Sequence, residues 1–127
     1  MIVAGVGCRR GATADDIERA VRLALGMFDL APDRLDAVAT ESSKATEAGI
    51  VEAVQRLSVK LVACTVTDLD RVAGQVLTAS LMVLEKKGVP SIAEASALVA
   101  AGRGARLLGT RVATATATCA IAVGEGR

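Results

Sequence analysis

The sequence predicts one α/β domain of three layers (α/β/α), in which helices cover both faces of a largely parallel sheet of about five strands. Short apolar runs alternate along the chain with longer segments whose apolar residues recur at helical spacing, as in strands joined by crossover helices. The third short run, residues 59–64, is almost entirely apolar, which is typical of a central strand. The length of 127 residues suits a single domain spanning residues 1–127.

The strands are predicted from the short apolar runs and the turns that bound them. A glycine ends the first run, and Pro32 with Asp33 forms the turn before the second. The predicted strands occupy residues 2–6, 35–39, 59–64, 107–112 and 118–123, with the last two as an antiparallel hairpin. The alternating alanine and threonine at residues 113–118 fit either a strand with two different faces or a loop.

The helices are predicted from apolar spacing and from their capping residues. Thr13 with Asp16, and Ser91 with Glu94, have the spacing of a capping box, which satisfies free amides at a helix N-terminus. Thr67 is predicted to cap a short helix. The other predicted helices run from Thr13 to about residue 28 and over residues 48–57, 77–87 and 92–101, with Gly88 ending the third of these.

The composition excludes several functions. The chain has no histidine, tryptophan or tyrosine and one phenylalanine, which excludes histidine-dependent catalysis, imidazole metal ligands and aromatic stacking on bases. A net charge of +1 favours neither nucleic acid nor a membrane surface as a partner. Three cysteines without CxxC spacing predict no zinc site and no disulfide framework, and we expect no metal and no cofactor. No uncharged run reaches the ~18–20 residues of a membrane-spanning helix, no signal-peptide pattern is visible, and a cytoplasmic location is expected.

The main candidate binding segment follows the first predicted strand and contains Gly7, Cys8, Arg9, Arg10 and Gly11. Glycines let the backbone approach a ligand closely, and the next helix points its N-terminal amides at the same place. The arginines add donors that match carboxylates or phosphates. These features predict an anion site at the carboxyl end of a strand, where α/β sheets bind ligands. The alternative is a tight turn with solvated arginines, since neither Walker A nor dinucleotide-binding spacing is present.

A second polar cluster, Thr40, Glu41, Lys44 and Glu47, follows the second predicted strand. It would lie near the first loop, because the carboxyl ends of neighbouring parallel strands meet at one edge of the sheet. Lys44 suits carboxylate binding, or base catalysis if its pKa is lowered. The alternative is an exposed loop that begins the next helix, and this is the expected role of Glu41.

Two further groups have a structural and a functional interpretation. Ser91 and Glu94 are expected mainly to cap a helix, whose N-terminus could still face the ligand. Cys8 lies beside two arginines, which would favour its thiolate, but a nucleophilic role lacks a histidine base. Cys64 and Cys119 lie in apolar strands and are expected in the core.

Four motifs, in one order, resemble a known family. Residues 5–11, G-V-G-C-R-R-G, resemble the opening G-[IV]-G-C-R-[RK]-G of the CobE proteins and of the C-terminal domain of CbiG, both in cobalamin biosynthesis. Residues 39–50 look like A-T-x(3)-K-x-x-E-x-G-[LI], residues 88–95 like G-V-x-S-V-A-E-A, and residues 118–122 like a closing T-x-A-[IV]-A strand. The resemblance spans essentially the whole chain.

The resemblance implies a role in building the corrin ring. The expected function is to bind or carry a corrinoid or precorrin intermediate, whose acetate and propionate groups would meet the positive loop while aliphatic side chains face the ring. The residues expected to bind it are Gly7, Cys8, Arg9, Arg10, Gly11, Thr40, Lys44, Glu47, Ser91 and Glu94.

Two other functions stay open. CbiG opens the lactone of cobalt-precorrin-5A and releases acetaldehyde, and a hydrolase of this kind would need Lys44, Glu47 or Glu94 to activate water. The resemblance does not include the additional N-terminal region of CbiG, so we expect an architecture like that of CobE. The third function is an accessory module that docks onto a precorrin methyltransferase through exposed aliphatic surface.

Overall fold

Six strands form one mixed sheet in the computed structural model, which describes residues 1–78 and 91–126. The strands are β1 (Ile2–Cys8), β2 (Ala37–Glu41), β3 (Lys60–Cys64), β4 (Arg106–Leu107), β5 (Val112–Ala113) and β6 (Ala117–Val123). β1, β2 and β3 are parallel neighbours, whereas β6 is antiparallel to β1, β4 and β5. The strand order β3-β2-β1-β6-β4, with β5 also paired to β6, confirms the predicted α/β class.

Four helices lie in the described part of the chain. They are α1 (Ala14–Gly26), α2 (Ala48–Leu57), α3 (Val66–Arg71) and α4 (Ile92–Ala101). α2 and α4 cover the predicted residues, and α1 ends slightly earlier than predicted. The helix predicted over residues 77–87, with its Gly88 stop, falls outside the described residues from residue 79 onward.

The helices cover both faces of the sheet, as predicted. Ile17 and Leu25 of α1 and Ile50 of α2 pack with Val6 on one face. Leu69 of α3 and a row of small residues from α4 pack with Val3 on the other face. Many of the alanines lie at this contact, and their small side chains on α4 and on the facing strands let the helix lie very close to the sheet.

The sheet differs from the prediction at its C-terminal hairpin. In place of one strand over residues 107–112, β4 and β5 are separate, so that six strands replace about five. Leu107 pairs with Ala122 and Val112 pairs with Cys119, which leaves two extra residues on the β4–β5 side of the ladder. The intervening segment therefore leaves the ladder, as in a bulge.

The prediction that residues 59–64 form a central strand is wrong for the described residues. There β3 pairs with β2 alone, and Lys60 and Ala63 are exposed. The run is apolar because helices cover both faces of the sheet at β3. A strand at the end of the sheet is covered in this way just as a central strand is, so an apolar run does not distinguish the two. The central positions belong to β2, β1 and β6.

Several strand and helix ends also differ. β1 continues through Gly7 and Cys8, and β2 continues through Thr40 and Glu41, so Glu41 is buried and is not part of an exposed loop. The helix predicted to follow Thr67 is capped instead by Thr65, which forms a full capping box with Asp68. No helix in residues 1–78 or 91–126 is long and apolar enough to span a membrane.

Candidate functional site

The predicted site residues converge at one edge of the sheet, where β1 and β2 reach their carboxyl ends. α1 and α2 begin at this edge, after Thr13 and Glu47. The start of α4 also lies here, since a Cβ atom built on Gly7 would be 3.9 Å from the Cβ of Ile92. The loops after the first two strands therefore lie side by side, as the parallel order of β1 and β2 predicts.

Residues 9–12 form a tight turn that the surrounding chain holds on both sides. The amide of Ala12 donates to the carbonyl of Arg9 at 3.1 Å, and Gly11 has a φ of +80°, as at the third position of a type II turn. The amide of Arg9 donates to the carbonyl of Thr116 at 2.9 Å. The amide of Gly11 donates to Glu47 Oε1, also at 2.9 Å. These three backbone amides already have partners, so a ligand would meet the side chains of the turn first.

The cations at this edge are open to a ligand. Arg9 and Arg10 are exposed and Lys44 is half-buried. Within the described ranges, none of the three forms a salt bridge. A planar guanidinium without an internal partner can offer a carboxylate two parallel hydrogen bonds.

Cys8 lies within reach of two opposite charges, those of Lys44 and Glu47. Burial raises the pKa of the Cys8 thiol, the charge of Lys44 acts in the opposite direction, and the charge of Glu47 raises it further. The expectation that the loop favours a thiolate is therefore wrong in direction, since desolvation outweighs the nearby positive charge. Cys64 and Cys119 are fully buried, as predicted.

Cys8 is expected to react slowly with iodoacetamide at pH 8, because its raised pKa keeps the thiol protonated. Lys44→Met should slow the reaction further by removing the lowering charge, and Glu47→Gln should speed it. Peptide mapping by mass spectrometry separates Cys8 from the two buried cysteines. Faster alkylation of Cys8 than of the same thiol in the urea-unfolded chain would contradict the burial argument.

Thr40, Ser91 and Glu94 are buried and already engaged. The Thr40 hydroxyl donates to the carbonyl of Val6 at 2.7 Å, which ties β2 to β1. Ser91 caps α4 by accepting from the amide of Glu94 at 3.3 Å, so its structural interpretation is confirmed. None of these three side chains has more than a trace of exposed surface.

The Glu94 carboxylate does not complete the predicted capping box. Oε1 accepts from the amides of Leu77 at 2.8 Å and Thr78 at 2.7 Å. Oε2 accepts from the Thr78 hydroxyl at 2.7 Å and the Arg111 amide at 2.9 Å. A side chain placed at the third residue of a helix thus joins two segments that are distant in sequence.

A further contact at this edge was not predicted. Asp16 Oδ2 accepts from the Thr114 hydroxyl at 2.8 Å, the Thr116 amide at 2.8 Å and the Thr116 hydroxyl at 2.5 Å. These hydrogen bonds lower the pKa of Asp16. The sequence contained one indication of this contact. Thr114 and Thr116 in the alanine–threonine repeat carry hydroxyl donors, which a nearby carboxylate can accept from.

No cluster of His, Cys, Asp or Glu in the described residues could hold a metal ion. A shallow groove lies between the N-terminal parts of α1 and α2. It is lined by Ala12, Thr13, Ala14, Thr46, Ala48, Gly49, Val51, Glu52 and Gln55. Its wall beside the turn at residues 9–12 mixes aliphatic groups with hydroxyl, amide and carboxylate groups.

Comparison with protein families matches residues 2–122 to the family described as "Cobalamin synthesis G C-terminus". The protein CobE of Sinorhizobium sp is 32% identical over 121 residues, which is 95% of this chain and 79% of that protein.

Solved structures agree with the sequence comparisons. The crystal structure of CobE, a protein from the cobalamin (vitamin B12) biosynthetic pathway, matches with a TM-score of 0.92 and 29% identity, covering 100% of this chain and 92% of that one. The cobalamin biosynthesis protein chiG from Agrobacterium tumefaciens is 42% identical with a TM-score of 0.78, covering 98% and 99% of the two chains. A cobalamin biosynthesis protein G homologue of Sulfolobus solfataricus shares the fold, at 20% identity and a TM-score of 0.70, over 98% of this chain and 37% of its own. The resemblance drawn from the four motifs is confirmed, and the chain belongs to the CobE/CbiG C-terminal family of cobalamin biosynthesis proteins.

Proposed function

We propose that this protein binds or carries a corrinoid or precorrin intermediate at the edge where β1 and β2 end. The observation that carries the proposal is the group of cations Arg9, Arg10 and Lys44, which have no salt-bridge partner among the described side chains. Such an intermediate has several acetate and propionate carboxylates around an apolar ring. Guanidinium groups bind carboxylates in pairs of hydrogen bonds, which suits this rim.

The groove beside the turn supplies apolar surface for the ring of the intermediate. Ala12, Gly49 and Val51 lie there next to the hydroxyls of Thr13 and Thr46, and Glu52 and Gln55 complete its lining. The chain has no tryptophan or tyrosine with which to stack on the ring, so contact with the ring face would be aliphatic. Thr40, Ser91 and Glu94 would support this surface from within, since all three are buried.

Titration with a hydrogenobyrinic-acid-type corrinoid, followed by absorbance, tests the proposal. Wild-type protein should bind in the micromolar range, and Arg9→Ala with Arg10→Ala should weaken binding by about a hundredfold or more, since two charged hydrogen bonds of roughly 1.5–3 kcal/mol each are lost. Arg34→Ala is the matched control, because Arg34 is exposed in the turn before β2, away from the carboxyl end of that strand.

Two results would overturn the corrinoid site. One is the absence of any spectral change with wild-type protein at micromolar concentration. The other is an equal loss of binding free energy per arginine removed in the Arg34 control and the Arg9/Arg10 variant, which would indicate attraction by overall charge and not a site.

A lactone hydrolase that releases acetaldehyde is the second candidate function. Glu47 favours it, because its carboxylate is half-buried, held by the Gly11 amide, and electrostatically coupled to Cys8 together with Lys44. Glu94 is ill-suited to activate water, since it is buried and accepts four hydrogen bonds. Acetaldehyde release from a lactone-bearing precorrin, lost in Glu47→Gln, would support this activity, and no release by wild-type protein would exclude it.

A further inference from the structure

The turn between β5 and β6 is closed by the Thr114 amide, which donates to the carbonyl of Ala117 at 2.8 Å, and one carboxylate oxygen ties this turn to α1. Asp16 Oδ2 receives the Thr114 hydroxyl at 2.8 Å and both the amide and the hydroxyl of Thr116, at 2.8 and 2.5 Å. Asp16 belongs to the first turn of α1, and its own amide is capped by Thr13 at 3.1 Å. The Thr13 hydroxyl thus caps the helix, while the Asp16 carboxylate accepts hydrogen bonds from the turn at Thr116, 100 residues later in the chain.

The same turn fixes the backbone of Arg9. The carbonyl of Thr116 accepts the Arg9 amide at 2.9 Å, one step beyond the last ladder pair of Cys8 with Ala117. Thr116 thus binds Asp16 through its amide and hydroxyl and Arg9 through its carbonyl. A shift of Thr116 would move the backbone from which the Arg9 side chain projects.

We propose that Asp16 is a positioning residue for Arg9, because it holds the β5–β6 turn that anchors the Arg9 amide. This inference rests on the proposed function, in which Arg9 binds a carboxylate of the intermediate. It adds the β5–β6 turn to the site as the support of its first cation. The lowered pKa of Asp16 agrees with a carboxylate that stays charged while it accepts these hydrogen bonds.

Asp16→Asn tests the inference, with Asp15→Asn as the matched control. Both variants remove one negative charge from the first turn of α1, but Asp15 is exposed and contacts Arg56 at 2.5 Å, not the β5–β6 turn. Amide hydrogen exchange, measured by NMR without ligand, should accelerate at Arg9 by about tenfold in Asp16→Asn and stay unchanged in Asp15→Asn. Exchange at Ala4, in the middle of β1, reports whether the whole sheet has loosened. Thr116→Val, which removes one donor and keeps the branched shape, provides a milder second variant.

Corrinoid affinity gives the second measurement. Asp16→Asn should weaken binding by about fivefold to tenfold in the wild-type background and by much less in the Arg9→Ala background, because the effect passes through Arg9. Unchanged Arg9 exchange in both Asp16→Asn and Thr116→Val, or an equal loss of affinity in the two backgrounds, would overturn the inference. If wild-type protein binds no corrinoid, the proposed function fails, while the exchange data still decide whether Asp16 fixes Arg9.

Discussion

Replacement of Gly5 by alanine is expected to lower the free energy of unfolding by about 3 kcal/mol or more, a large part of the roughly 5–15 kcal/mol available to a domain. A methyl group on Gly5 would overlap the carbonyl oxygen of Ala93 and would lie 2.6 Å from the amide nitrogen of Ala97. Both atoms belong to the backbone of α4, so no side chain can turn away. The helix would have to move off the sheet, which would expose the row of small residues packed beneath it.

Urea unfolding followed by circular dichroism measures this loss, and Gly26→Ala is its control. Gly26 ends α1 with no atom within 4 Å of a built Cβ, so the same substitution there should leave stability within about 1 kcal/mol of wild type, on the more stable side. A Gly5→Ala protein as stable as wild type would contradict the close approach of α4 to β1. It would also remove the structural reason for glycine at this place in the first motif.

Features encoded locally were predictable from the sequence. The bounds of α2 follow from apolar spacing, and those of α4 follow also from the capping residue Ser91. The edge that gathers Arg9, Arg10 and Lys44 was also predictable, because parallel strands bring the loops after them to one side. The helix bounds depend only on a segment and its near neighbours in the chain, and the shared edge follows from the parallel order of two strands.

Contacts between distant segments were not predictable. The Gly11 amide meets Glu47 36 residues away, and Asp16 meets Thr116 100 residues away. The spacing of residues does not show which carboxylate accepts from which distant amide, so the hydrogen bond from the Gly11 amide to Glu47 was not predicted. The predicted central position of β3 was wrong for the same reason. An apolar run shows that helices cover a strand, but it does not show which strands lie beside it in the sheet.

Glu94→Ala is expected to destabilise the protein by about 3–5 kcal/mol, because it leaves buried donors without an acceptor. Glu94 is 0% exposed, and its two oxygens accept four hydrogen bonds from Leu77, Thr78 and Arg111. The loss should be greater than that of a simple cap, which is typically about 1 kcal/mol. It should also free the segments around Thr78 and Arg111, seen as faster amide exchange there than in α1.

Two variants separate the hydrogen bonds of Glu94 from its place in the helix. Glu52→Ala makes the same change at an exposed position of α2, where the carboxylate contacts only Arg56 at 3.3 Å among the described residues, and should cost no more than about 0.5 kcal/mol. Glu94→Gln keeps the shape and one acceptor oxygen, but in either orientation its NH2 group faces backbone amides from which it cannot accept, either Arg111 or Leu77 and Thr78. Its stability should therefore fall between wild type and Glu94→Ala. If Glu94→Ala were no worse than Glu52→Ala, Glu94 would be only a helix residue. If Glu94→Gln matched wild type, the second acceptor oxygen would contribute nothing, and the links from α4 to these segments would have to rest on one oxygen and on apolar packing.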